Sequence, residues 1–112
     1  MNKKSGDAIP HKIVAELKPI VLDSVNIIKY PADELVKRNG QPISDTIFNI
    51  HYIFNRKQLA LWRFYPPNSN EKIRELVWKT DSISYVTIWY HLEEHKIWGA
   101  FDFVFWNEYM EF

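Results

Sequence analysis

The stretch HLEEH, His91 to His95, is the first place in this chain where residue types and spacing could do chemistry. Two histidines at i and i+4 share one helical face and there ligate zinc, with a glutamate directly after the first as general base. Leu92 holds that position instead. The residues just before it are β-branched and aromatic, which predicts a strand, so the two histidines do not share a face. A turn made by Glu93, Glu94 and His95 is the better reading, and no metal site is expected. Glu93 with Glu94, or Asp102 with Glu108, are carboxylate pairs of the kind used in acid–base work, but adjacent glutamates in a turn are solvated. Asp102 lies between Trp98 and Trp106. Enclosed there, it would be an acid–base candidate, and His51 would join it; His51 alone reads as a hydrogen-bonded, half-exposed histidine.

Other chemistries are excluded by what the chain lacks. It has no cysteine, hence no disulfide, thiolate metal site or thiol nucleophile. Gly6, Gly40 and Gly99 are its only glycines, too scattered for a phosphate-cradling loop, and no cofactor is expected. Trp62/Arg63 and Arg56/Lys57 mix aromatic and basic groups as single-strand platforms do. Yet the formal net charge is zero and the richest aromatic segment is acidic, so direct nucleic-acid binding is not expected. The charge is divided along the chain. Residues 1–80 hold 13 Lys+Arg and 8 Asp+Glu, whereas 81–112 hold Lys96 against six acids. Folding either keeps that division as an acidic surface or mixes the two halves.

The elements that must position these residues follow from hydrophobic period. At 112 residues the chain is one domain, with residues 1–8 expected as a tail. No apolar run is long enough for a membrane span and no signal-peptide core follows the first lysines, so a cytoplasmic protein is expected. Ile13, Val14, Leu17, Ile20, Val21 and Val25 have helical spacing, with a kink or a second helix start at Pro19. A short helix is expected between Pro31 and Gly40. TIFNIHYIF (46–54) alternates as a strand, and LALWRFY (59–65) reads as its hairpin partner. In NEKIRELVWK (70–79), Ile73, Leu76 and Val77 predict a helix, with Asn68 and Glu71 at capping-box spacing. SISYVTIWYHL (82–92) and IWGAFDFVFWNEY (97–109) are the last two strands. The predicted fold class is α+β: N-terminal helices and one further helix packed on a mostly antiparallel sheet of about four strands.

Regular alternation in the last strand puts Ile97, Gly99, Phe101, Phe103 and Phe105 on one face. Trp98, Ala100, Asp102, Val104 and Trp106 take the other. If helices cover one face only, the second set is an exposed acidic aromatic surface suited to a basic protein partner. If both faces are covered, these aromatics are core. The segment SYVTIWYHLEEHKIWGAFDFVFWNEY, within a chain of this size and build, resembles the small immunity proteins of bacterial polymorphic toxin and contact-dependent growth inhibition systems. That resemblance implies a cytoplasmic α+β inhibitor, not an enzyme, that binds a cognate toxin domain such as a nuclease. The strand argument itself nominates Trp98 and Trp106 as anchors, with Glu93, Glu94, Asp102 and Glu108 as partners for its Lys and Arg. The alternative is a small-molecule-binding or enzymatic cone with an aromatic pocket around Asp102 and His51.

Overall fold

Asp23, itself in an extended conformation, starts the first helix: its carboxylate accepts from the Asn26 backbone N–H at 2.8 Å, satisfying one of the free donors of the first turn. In the computed structural model, which describes residues 18–53 and 55–110, helix α1 is Ser24–Lys29 and helix α2 is Ala32–Asn39. The predicted helical stretch from Ile13 to Leu17 lies outside the described residues. Pro19 does not open a helix; residues 18–22 have no regular secondary structure, and the helix waits for the cap at Asp23. Asp33 and Glu34 sit in the first turn of α2 and Lys37 and Arg38 in its last, the order that complements the helix dipole. Gly40 ends it at a φ of +80°, a conformation most side chains disfavour. Asn39 then clamps the chain back on itself, accepting from the Ile20 N–H and donating to the Ile20 carbonyl.

The sheet is wholly antiparallel, in the order β1 (Ser44–Asn49), β2 (Lys72–Lys79), β3 (Ser84–Leu92), β4 (Trp98–Asn107). Together with the helices this is an α+β arrangement, as expected. Two of the expected elements differ. LALWRFY is not a strand; a 3-10 helix spans Arg56–Arg63. Residues 70–79 are not a helix but hold β2, an inner strand whose Ile73, Leu76, Val77 and Trp78 are buried across both faces. A strand covered on both sides loses its alternation, and its apolar positions then imitate helical spacing. Asn68 falls in a short 3-10 turn, Pro67–Ser69, and caps no helix.

Each sheet face carries its own core. On one, Ile27, Ala32 and Leu35 of the helices pack on Leu76, Trp78, Val86, Ile88 and Tyr90. Fully burying each large aliphatic side chain here contributes about 1.5–3 kcal/mol. Arg74 ties the same layer together. Its guanidinium grips both Asp45 carboxylate oxygens, at 3.0 and 2.8 Å, and reaches Asp33 of α2 at 3.2 Å. The Tyr90 hydroxyl is buried with no hydrogen-bond partner among the described residues, and burial pushes it far above the usual phenol range. On the other face Leu61 of the long 3-10 helix packs with Phe48, Ile50, Ile73 and Trp89. Trp62 fixes this helix by donating its indole N–H to the Ile50 carbonyl at 3.0 Å. Both faces of the sheet are therefore covered.

Candidate functional site

The β3–β4 hairpin carries every residue that the sequence nominated as partner-binding, but it does not gather them into one surface. The register of β4 shifts once. Trp89 faces Asp102 while its neighbour Tyr90 faces Ala100, leaving Phe101 as an extra residue. A bulge of this kind turns two successive side chains to the same side. Phe101 accordingly joins Val104 in the cluster under the long 3-10 helix, while Trp98, Ala100 and Phe103 pack against the α-helical cluster. Regular alternation is thus corrected at Phe101. Trp98 and Trp106, expected on one face, lie on opposite faces.

Each of the two is engaged within the chain. Trp98 is half-buried against the helix cluster. Trp106 stacks on Tyr85, with ring centroids 4.4 Å apart, and donates its indole N–H to the buried Thr87 hydroxyl at 2.8 Å. The Lys57 ammonium sits 3.9 Å from its ring centroid, a cation–π contact. Burial lowers the Lys57 pKa and the nearby Glu75 carboxylate opposes that shift. The two charge halves of the chain therefore meet here: the basic 3-10 helix is laid over the acidic last strand.

Asp102 shares this contact. Its carboxylate lies 3.5 Å from the Arg63 guanidinium and accepts from the Phe103 N–H at 2.9 Å. A cleft of about 290 Å³ opens between Arg56, Lys57 and Arg63 on the helix and Trp89, Asp102 and Val104 on the sheet. His51 is not part of it; that histidine is exposed, its Nδ1 3.3 Å from the Pro67 carbonyl. An Asp102–His51 pocket is not formed. Beneath the cleft Glu75 accepts two buried donors on a single oxygen, the Trp89 indole at 2.6 Å and the Gln58 amide at 2.9 Å.

The acids flank the hairpin. Glu93 and Glu94 lie at its tip, which closes through a Glu93 N–H to Ile97 carbonyl bond of 2.7 Å. His95 and Lys96 turn the chain there at φ of +62° and +60°, a strained conformation for residues with side chains. Glu108 is at the other end, accepting from the Tyr85 hydroxyl at 2.9 Å. His91 and His95 do not converge, and among the described residues no cluster of His, Asp and Glu could hold a metal ion.

Sequence reading missed an array at the same tip. Glu93 lies 3.1 Å from His91 Nε2, and the Tyr65 hydroxyl lies 2.5 Å from His91 Nδ1. With Nε2–H donated to the carboxylate, a neutral imidazole presents Nδ1 as acceptor, so Tyr65 donates. Burial, then the charges of Glu71 and Glu93, raise the Tyr65 pKa, keeping it a proton donor. Phe101 stacks on the imidazole, with centroids 5.0 Å apart. The array locks the hairpin tip to the loop after the long 3-10 helix. Gly99 makes room for it, since a Cβ there would fall on the Glu93 carboxylate. Gly99→Ala is therefore expected to push Glu93 off His91 and shift the His91 ring resonances in NMR. Glu93→Gln should shift the same resonances. Because the displaced atoms end a flexible, exposed side chain, stability should change by less than about 1 kcal/mol. Unmoved ring resonances would contradict the array. The partners were in view within HLEEH, but nothing in the local spacing joins them to Tyr65, 26 residues away. No protein-family model, curated protein or solved structure matches the chain.

Proposed function

We propose that this chain is a protein-binding inhibitor of the immunity-protein kind, which blocks a basic bacterial toxin domain in the cytoplasm by engaging the β3–β4 hairpin. The observation that carries this reading is the setting of β4. It is a ten-residue strand at the border of the sheet, with no strand on its outer side among the described residues. Glu93 and Glu94 lie beyond one end and Glu108 beyond the other. An acidic frame around a sheet border with no pairing strand among the described residues is complementary to a basic partner, and it speeds encounter as well as fixing orientation. The packing of Trp98 and the triple engagement of Trp106 move the anchoring role to exposed apolar residues along this border, Ile97, Phe105, Tyr109 and Met110. Asp102, paired with Arg63, contributes less than the acids at the ends.

The test starts by capturing the partner from native cells and then measures association kinetics with it. Glu93→Lys, Glu94→Lys and Glu108→Lys together are expected to slow association by about tenfold or more at low ionic strength. The difference should shrink when salt brings the Debye length to about 3 Å. The captured domain should also lose its own activity when the wild-type chain is bound. A partner that binds the triple variant at the wild-type rate, or that stays fully active in the complex, would overturn the proposal.

A further inference from the structure

We infer that the outer edge of β4 is a strand-pairing site gated by two of the protein's own side chains, Asp102 and Met110, and that it takes an extended segment of a protein partner. The border is the one assigned to the partner above, and the assignment rests on that reading. Along an antiparallel strand each residue turns its N–H and C=O to one side, and its neighbours turn theirs to the other. The Glu108 N–H bonds the Ile83 carbonyl at 3.0 Å, on the β3 side. Asn107, Phe105 and Phe103 therefore turn theirs away from β3. The far side of β3 agrees: the Ser84 carbonyl, one residue on from Ile83, accepts from the Thr80 N–H just past the end of β2 at 2.8 Å.

Two of these outward donors are taken by the chain itself. The Phe103 N–H donates to the Asp102 carboxylate at 2.9 Å, and the Asn107 N–H donates to Met110 Sδ at 3.3 Å. The Met110 N–H also returns to the Asn107 carbonyl at 3.1 Å. Phe105 lies between these caps, exposed, with its N–H and C=O turned outward and no pairing strand beside it among the described residues. A row of unpaired backbone groups is a template for another chain. Here the row is reduced to one open step, Phe105, flanked by closed ones. Both caps can yield. A thioether is a weak acceptor. The Asp102 carboxylate keeps a second partner, the Arg63 guanidinium 3.5 Å away, when it releases Phe103. An incoming strand makes its first pair of hydrogen bonds at Phe105 and then replaces the caps on either side. The groups that pair are backbone N–H and C=O, so the fitting partner is an extended segment rather than a helix or a small molecule.

The test uses the isotopically labelled full chain and two-dimensional NMR. Before any addition, the Phe103 and Asn107 amides should exchange with solvent about tenfold more slowly than Phe105, the scale of one hydrogen bond. Asp102→Ala should speed exchange at Phe103 and Met110→Leu at Asn107, whereas Asp102→Asn, which keeps an acceptor oxygen, should not. The probe is an acetylated, amidated hexapeptide alternating lysine and valine, with the same peptide N-methylated at every residue as control. Saturable shifts are expected at Phe103, Phe105 and Asn107. The N-methylated peptide should bind at least about tenfold more weakly, because it has lost its backbone donors. Asp102→Ala combined with Met110→Leu should bind the plain peptide a few fold more tightly. Leucine keeps the apolar volume of methionine, and retained spectral dispersion verifies the fold of each variant. Equal binding of the two peptides, shifts confined to β1, or an uncapped variant with unchanged affinity overturns the assignment. Concentration-dependent shifts of the same amides without peptide would put a second copy on this edge and overturn it too. The peptide needs no captured partner, so its failure leaves the charge-reversal test of the inhibitor untouched, and failure of that test leaves the peptide result standing.

Discussion

Trp89→Ala is expected to destabilise the protein by about 3–5 kcal/mol, read as a lower urea midpoint at unchanged slope. Trp89 is 1% exposed, in the middle of an inner strand, with Glu75 opposite it on one side and Asp102 on the other. It packs in the cluster of Phe48, Ile50, Leu61 and Ile73, and it is the largest side chain there. Removing it opens a cavity beneath the long 3-10 helix, whose own buried contribution to that cluster is Leu61. A 3-10 helix has poor internal hydrogen-bond geometry, and one of this length depends on packing to persist. Backbone amides of Arg56–Arg63 should therefore lose protection against hydrogen exchange before those of β2 and β3. A cost below about 1 kcal/mol would mean that the helix does not seal this face.

Glu75→Ala is the second large effect, about 2–4 kcal/mol, and it comes from a different source. The carboxylate contributes by satisfying two buried donors, the Trp89 indole and the Gln58 amide, and each orphaned donor costs about 1–3 kcal/mol. Both donors end on the same oxygen. A neutral glutamine can place its carbonyl oxygen there, so Glu75→Gln should cost no more than about 1 kcal/mol. The contrast between the two variants separates hydrogen-bond satisfaction from charge. Combining Glu75→Ala with Trp89→Phe should cost less than the sum of the two, since the second change removes one of the donors that the first leaves unpaired. Strict additivity would show that the bond contributes nothing.

The last two strands were legible because SISYVTIWYHL and IWGAFDFVFWNEY are long, rich in β-branched and aromatic residues, and separated by a polar turn. The first strand was legible too, though it ends at Asn49, before the chain turns at Ile50. β2 was not, because burial on both faces erased the alternation that marks a strand. The long 3-10 helix left a signal that propensity overrode. Asn55 and Gln58 have capping spacing, and the Asn55 side chain does accept from the Gln58 N–H. The apolar run after it, read alone, looks like a strand. For the candidate site, the acids and tryptophans were correctly placed on one hairpin of the last two strands, but their faces depended on an unbroken period of two. A one-residue register shift has no consistent signature in a single sequence, and here it reversed the relation between Trp98 and Trp106. The Glu93–His91–Tyr65 array and the Asp102–Arg63 pair were beyond reach for a simpler reason: each joins segments that meet only after the loop has folded over the sheet.

The extra residue at Phe101 also sets how much of this molecule another chain can copy. An incoming strand keeps hydrogen-bonding step with β4 only along an unbroken stretch. The bulge leaves a short one at Trp98–Ala100 and a longer one at Asp102–Asn107. The longer is about 20 Å at the usual rise per residue. A partner that extends the sheet would therefore lend a strand of roughly six residues and no more. The same interruption makes this aromatic border a poor template for endless stacking of identical chains.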